Sequence, residues 1–346
     1  MRLHHPLLEL TLTRFREFLR EPEAVFWVFA FPVLLSCALG LAFREQGTPA
    51  VLVGVLRDAQ GSDAPIVRTL EAAPTMRVRA VDRAEADVAL RNGAIHLLVV
   101  PGSPLTYEFD PSRPESRVGR YAVDEVLQTA AGRTSAAATT ERLVTVPGSR
   151  YIDWVVPGLL GMNIMGTGMW SVAFSVVTAR MRKLLKRLVA TPMRRRDYLL
   201  SQIAARLMFL VLEVSVLLGF ATLVFGVPVN GSWLLLSAFC LLGAMVFSGL
   251  GLLTASRAQT IEGVSGLMNL VMVPMWVFSG VFFASENFPD AMQPFIAALP
   301  LTALNQALRG VMIDGSGLTA LWGQIAILAI WGVVSFVAAL RLFRWR

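Results

Sequence analysis

Apolar residues occur along the chain in long runs broken by compact polar segments. A membrane helix needs ~20 mainly apolar residues to cross ~30 Å of hydrocarbon. Five runs meet this without one charge: Val25 to Phe43, Val155 to Ala179, Trp233 to Ser256, Gly263 to Ser285 and Leu318 to Leu340. A sixth, Tyr198 to Gly226, carries Arg206 and Glu213. The pattern predicts six spans, over residues 25–43, 151–179, 198–226, 233–256, 263–285 and 318–343.

The long polar stretch between the first two spans, residues 44–150, has a different rhythm. VLVGVL (51–56) reads as a buried strand, and Ser62 to Ala73 as a helix with a serine cap. A strand from Met76 to Ala80 leads to Asp82, which is placed to cap a helix from Arg83 to Asn92 closed by Gly93. Strands at Ile95 to Val100 and Leu105 to Phe109 follow, then a helix from Pro114 to Ala131. Alternating strands and helices predict a small α/β domain with one modest core. Residues 133–148 are weakly patterned and are expected to return the chain to the membrane.

Composition supports the membrane reading: 55% of the 346 residues are hydrophobic, only 16% are charged, and the mean hydropathy is +0.60. A water-soluble surface needs more polar residues than that. The net charge of +7 comes from 29 arginines and two lysines set against 24 acidic residues, and the positions of the basic residues fix an orientation. Arg2, Arg14, Arg16 and Arg20 precede span one, and residues 180–196 hold eight basic residues. By the positive-inside rule both segments are cytoplasmic. Six spans then place both termini inside and residues 44–150 outside, because long domains cross regardless of charge. A cleaved signal peptide fits poorly, since span one is too long, 24 residues precede it and no A-x-A site follows. Leu34-Leu35-Ser36-Cys37 is a faint lipoprotein-like alternative. Cys37 and Cys240 both sit in apolar runs, so no disulfide framework is encoded.

Two basic amphipathic segments face the expected cytoplasm. Residues 7–20 put Leu8, Leu12, Phe15 and Leu19 on one helical face and Arg16 with Arg20 on another. Such a helix, residues 1–24 in all, lies on a membrane surface, as a simple anchor or beside a cytoplasmic partner. Residues 180–197 predict a helix from Met181 to Ala190 that ends at Thr191-Pro192. There Leu184, Leu185 and Leu188 line up beside Arg182, Lys183, Lys186 and Arg187, with Arg194, Arg195 and Arg196 following. A solvated flank needs no such apolar stripe, whereas a protein-docking helix does.

The candidate chemistry is sparse. His96 has no second His or Cys nearby and reads as a packed histidine. Asp58, Asp63, Asp82 and Asp110 read as caps and turn residues. Within the spans, polar side chains mark either a path or bonds between helices. Span two holds Asn163 among glycines, with Met162, Met165 and Met169; span five holds Asn269 near Met272. Arg206 and Glu213 share a helix face but stand ~10 Å apart along its axis, so a direct ion pair is not expected, and Arg206 is expected to snorkel. Arg309, with Asn305 and Gln306, lies in an external re-entrant segment, residues 286–317, in a position to act as lid or gate.

With these features in place, the chain resembles the permeases of ABC-2 type transporters, in the subgroup with a large external domain between spans one and two. R-x-R-K-x-x-K-R-L-x-A-T-P-M-x-R-x-x-Y, Arg180 to Tyr198, is similar to that family's loop after span two, E-(K/R)-G-T-x-E-x-L-x-x-T-P followed by a basic patch. It departs from it at Met181-Arg182-Lys183. FSGVFF…FP…LP-L (Phe278 to Leu301) and YEFDPSRPES (Tyr107 to Ser116) resemble further family segments. The resemblance implies a membrane all-α fold of six spans with an inserted extracytoplasmic α/β domain. It also implies a subunit that forms a homodimer or a heterodimer with a related permease and binds two copies of a separate nucleotide-binding subunit. Coupling would fall on Arg16, Arg20, Arg182, Lys183, Lys186, Arg187, Leu188, Thr191, Pro192, Arg194, Arg195 and Arg196. The path would involve Met162, Asn163, Met165, Met169, Asn269, Met272, Glu213 and Arg309. No G-x-x-x-x-G-K-[ST] loop occurs, so no cofactor is expected on this chain, and ATP and Mg belong to the partner. Membrane lipid and a hydrophobic small molecule complete the expected partners, with no nucleic acid and no metal. The expected role is export of a drug, lipid or natural product across a bacterial inner membrane. The rival readings are a membrane-anchored sensor or scaffold and a proton-coupled carrier using Glu213.

Overall fold

The computed structural model of the chain describes residues 15–16, 18–42, 50–58, 63–134, 150–183 and 195–342, apart from the side chains of 24 and 195–204. The chain divides into two units, Met1–Arg44 with Val144–Arg346, and Glu45–Leu143. Helix α1 is made of abutting pieces of 4, 5 and 12 residues: Pro22–Val25, a π-turn at Phe26–Ala30, and Phe31–Ala42. Pro22 starts it where a missing N–H costs nothing.

The inserted unit holds β1 (Val51–Leu56), α2 (Asp63–Glu71), β2 (Met76–Val81), α3 (Arg83–Asn92), β3 (Leu97–Val100), β4 (Thr106–Glu108) and α4 (Pro114–Ala130). The sheet order is β2-β1-β3-β4, with β1 parallel to both neighbours and β4 antiparallel to β3. Side chains alternate across a strand. Val53, Val55, Leu97 and Val99 therefore meet Leu70 of α2 and Val123 of α4 on one face, while Leu98 meets Ala86 and Ala89 of α3 on the other. The expected small α/β fold is present. Gly93 closes α3 at φ 73°, a conformation glycine adopts without strain. Asp82 precedes α3 as expected, but its side chain makes no cap bond; it pairs with Arg57 at 3.3 Å instead.

The second unit continues with α5 (Tyr151–Met181), α6 (Arg195–Phe225), α7 (Trp233–Ala255), α8 (Ile261–Phe278), α9 (Gln293–Ala298), α10 (Pro300–Met312) and α11 (Trp322–Leu342). Five helices among the described residues are long and apolar enough to cross a membrane: α5, α6, α7, α8 and α11 with the short turn that leads into it. The first expected span is a shorter apolar helix, Phe26–Ala42. Span five ends at Phe278, not at residue 285, because Ser279 and Gly280, the latter at φ 69°, turn the chain away. The expected re-entrant segment is a bent pair, Asp290–Ala298 and Pro300–Met312, at 83°. Pro300 opens α10 and disfavours helical backbone at Leu299, which is extended.

Helices α5 and α7 form the centre. In the most apolar 18-residue stretch of each, 56% of the residues are buried, against 28% for α6, 22% for α8 and 17% for α11. Close backbone approach makes this pair: a Cβ on Gly251 of α7 would stand 2.7 Å from the Met169 carbonyl oxygen of α5.

Candidate functional site

The last four carbonyls of a helix have no partner within it. Arginines from neighbouring elements supply that partner at the C-terminal ends of α6, α7 and α8. At α6, Arg150 Nη2 donates to the Gly226 carbonyl at 3.2 Å. Arg150 is itself held by the fully buried Asp153 through two bonds, of 2.9 and 2.7 Å. At α7, Arg180 donates from Nη1 to the Ala255 carbonyl (3.2 Å), from Nη2 to that of Ser256 (3.3 Å) and from Nη1 to that of Ala258. At α8, Arg309 donates from Nη2 to the Gly280 carbonyl and from Nε to that of Trp154 (3.1 Å), and its guanidinium lies 3.7 Å from the Trp154 ring centroid. Asn305 of α10 donates to the Ser279 carbonyl at 2.9 Å, and Tyr151 to that of Phe282 at 2.9 Å. A buried carbonyl left unpartnered costs about 1–3 kcal/mol. A planar guanidinium satisfies several at once and puts positive charge at the negative end of the helix dipole, which an ammonium does with less reach.

A second polar cluster lies inside the bundle and joins α1, α5 and α6. Asn163 Nδ2 donates to the Val28 carbonyl in the π-turn of α1 at 3.2 Å. The Thr167 hydroxyl stands 2.9 Å from the Asn163 carbonyl and 3.1 Å from Glu213 Oε1, so its one proton serves them in turn. Arg206 Nη2 reaches Glu213 Oε1 at 3.3 Å and the Ile164 carbonyl at 3.4 Å. This ion pair corrects the expectation from axial spacing. Two long side chains on one face lean toward each other and close the ~10 Å rise, so Arg206 turns inward to Glu213 instead of snorkelling. Glu213 Oε2 and Arg206 Nε are buried without a partner among the described residues.

The expected coupling residues fall into three groups. Arg16, Arg20, Arg182 and Lys183 are exposed. Arg195 and Arg196 lie in the first turn of α6. Lys186, Arg187, Leu188, Thr191, Pro192 and Arg194 lie outside the described residues. Near the N-terminus, Phe15 and Phe18 pack with tilted rings against Phe209 of α6, with ring centroids 5.7 and 4.4 Å apart. Leu19, expected on the apolar face, is 53% exposed instead, since Phe18 takes the inward position.

Among the expected path residues, Met162, Met165, Met169 and Met272 are buried in the helix core, while Asn269 is exposed on α8. Asn163 and Glu213 belong to the buried polar cluster, and Arg309 to the α8 cap. Sequence reading passed over Arg150 and took Arg180 only as the head of the basic loop. The available signal was a guanidinium at either end of span two, masked at Arg180 by the basic residues that follow it.

In the inserted unit, His96 Nδ1 accepts from the Leu52 N–H at 3.3 Å. Asp110 accepts from the Ser112 hydroxyl and amide, which hold its carboxyl below the usual range. Burial, aided by a 3.1 Å bond to Asp124, pushes the Tyr107 phenol up to about 12. Among the described residues no three His, Cys, Asp or Glu side chains group as a metal site.

Comparison with known proteins agrees with the helical architecture. A family model described as ABC-2 family transporter protein matches residues 23–341. The chain is 26% identical over 201 residues to ABC transporter G family member 20 of Dictyostelium discoideum, covering 57% of this chain and 27% of that protein. It is 25% identical over 172 residues to inner membrane transport permease YadH of Escherichia coli, covering 49% and 65%. It is 32% identical over 106 residues to nodulation protein J of Bradyrhizobium diazoefficiens, covering 30% and 40%. In each case the chain spans less than two thirds of the relative's length. The family match takes in all five of the helices that, among the described residues, are long enough to span a membrane, so the chain belongs to the ABC-2 family of transporter proteins.

Proposed function

We propose that this chain is the permease subunit of an ABC exporter in a bacterial inner membrane, moving a hydrophobic or amphipathic compound such as a drug, lipid or natural product outward. The observation that carries this reading is the family match over residues 23–341. The lack of a phosphate-binding loop in the sequence supports a separate subunit as the site of ATP hydrolysis. Two copies of that subunit dock against the basic faces at Arg16, Arg20 and residues 182–196, with the permease paired to itself or to a related chain. Both termini face the cytoplasm, and residues 44–150 stand outside. The path runs beside α5 and α8, with Asn163 and Asn269 as its polar points. The pairing of Glu213 with Arg206 and Thr167 favours a helix-joining carboxylate over a proton relay.

The test is purification in mild detergent followed by reconstitution. The chain should co-isolate with an ATPase, and efflux of a hydrophobic dye should require ATP. Leu188→Asp or Arg194→Glu should lower efflux at least tenfold without lowering permease abundance. Failure of any ATPase to co-isolate, or full efflux from both variants, overturns the proposal.

A further inference from the structure

Helix α1 changes its hydrogen-bond pitch part-way along. Over Phe26–Ala30 it is a π-turn, in which the Phe31 N–H donates to the Phe26 carbonyl five residues back, before Phe31–Ala42 continues as α-helix. The cause is in the sequence, at Pro32. A proline inside a helix has no N–H for the residue four back, and its ring collides with that residue's carbonyl. For Pro32 that residue is Val28, inside the π-turn. Widening the turn moves the carbonyl clear of the ring, but leaves it without the donor that an α-helix supplies at that place. Lipid offers no replacement.

Asn163 of α5 supplies one. Its Nδ2 donates to the Val28 oxygen at 3.2 Å, and the side chain that carries it is buried. The bond bears on where the start of α1 lies. A π-turn spends one residue more than an α-turn, so the chain before it is rotated by roughly 100° relative to the helix after it. In that rotated position the ring of Phe18 meets two others, Phe29 inside the π-turn and Phe209 of α6, at centroid distances of 6.1 and 4.4 Å. Phe209 shares a helix face with Arg206 and Glu213, at helical spacing on either side. The aromatic contact and the buried polar cluster therefore lie on one seam between α1 and α6.

We propose that Asn163 is a positioning residue: it gives the Val28 carbonyl the donor that Pro32 cannot, and so fixes the π-turn of α1 and the seat of Phe18 against Phe29 and Phe209. This adds a duty to Asn163 beyond that of a polar point on a path. Arg16 and Arg20 are exposed on the stretch that Phe18 anchors, so on the exporter reading an amide inside the bundle sets where that basic face stands.

The experiment is a double-mutant cycle on the full chain in phosphatidylcholine nanodiscs, because restoring the N–H at position 32 should make the amide dispensable. With Cys37→Ala and Cys240→Ala, spin labels are placed at Arg20→Cys and Arg257→Cys, both exposed. Asn163→Leu should lower the thermal unfolding midpoint and at least double the width of the distance distribution. Asn163→Gln, which keeps the donor on a longer arm, should fall between the native chain and Asn163→Leu. With Pro32→Ala present, Asn163→Leu should lower the midpoint by less than half as much and give a distribution of native width. Thr167→Val leaves the Val28 bond intact, so its cost should be equal with and without Pro32; this separates the proposal from a general gain on losing a proline. Should Asn163→Leu alone not fold, recovery of a cooperative transition on adding Pro32→Ala supports the proposal and its absence overturns it. An equal cost of Asn163→Leu in both backgrounds, or an unchanged distribution in Asn163→Leu, also overturns it. A missing ATPase would sink the exporter reading and leave this measurement standing.

Discussion

Glu213 is a fully buried carboxylate with one guanidinium and one hydroxyl on the same oxygen. Removing one member of a buried ion pair costs about 3–5 kcal/mol, because the other charge stays behind, whereas replacing both with apolar residues is often neutral. Glu213→Leu should therefore lower the thermal unfolding midpoint of the full chain in detergent more than Arg206→Met with Glu213→Leu together. Thr167→Val removes one hydrogen bond and should cost about 1 kcal/mol. A double-mutant cycle over the native chain, Glu213→Leu, Arg206→Met and the two together measures the coupling; additive effects would mean that the pair contributes nothing. Sequence spacing concealed this contact because it measures rise along the axis and ignores the reach of arginine.

At the scale of elements, stability centres on the α5 and α7 pair. Gly251→Ala would put a methyl group 2.7 Å from a backbone oxygen, an atom that cannot swing aside, and overpacking of this kind costs about 1–3 kcal/mol. Gly266→Ala on α8 meets nothing within 4 Å and gains helix propensity, so its midpoint should hold or rise. A comparison of the two unfolding midpoints checks this, and equal midpoints would remove the close-approach account. Element by element, the inserted unit was readable because its signals are local. The runs of β1 and β2, the Asp82 and Gly93 punctuation of α3, and Pro114 at the head of α4 each lie beside the element they define. The early end of α8 was not readable, because its run of apolar residues continues through Val281, Phe282 and Phe283 while only Gly280 marks the turn. The helix caps were hidden for a different reason: Arg180 and its acceptors lie 75 to 78 residues apart, so no window of the sequence holds both.

For the molecule as a whole, orientation in the bilayer is the claim most open to direct measurement. Single cysteines at Arg117→Cys in α4 and Arg182→Cys after α5, in a background without Cys37 and Cys240, should label differently in spheroplasts. A membrane-impermeant maleimide should reach the first at once and the second only after permeabilisation; the reverse order would invert the topology. Synthesis meets the guanidinium caps in a telling sequence. Arg150 and Arg180 leave the ribosome 76 and 75 residues ahead of Gly226 and Ala255, so the ends of α6 and α7 emerge to donors already in place. Gly280 emerges 29 residues before Arg309, which must also reach back 155 residues to Trp154. The ends of α6 and α7 thus meet their arginines on arrival, whereas the end of α8 waits for its own. A chain that stops short of residue 309 leaves the Gly280 carbonyl without its guanidinium, although Tyr151 is already in place for that of Phe282.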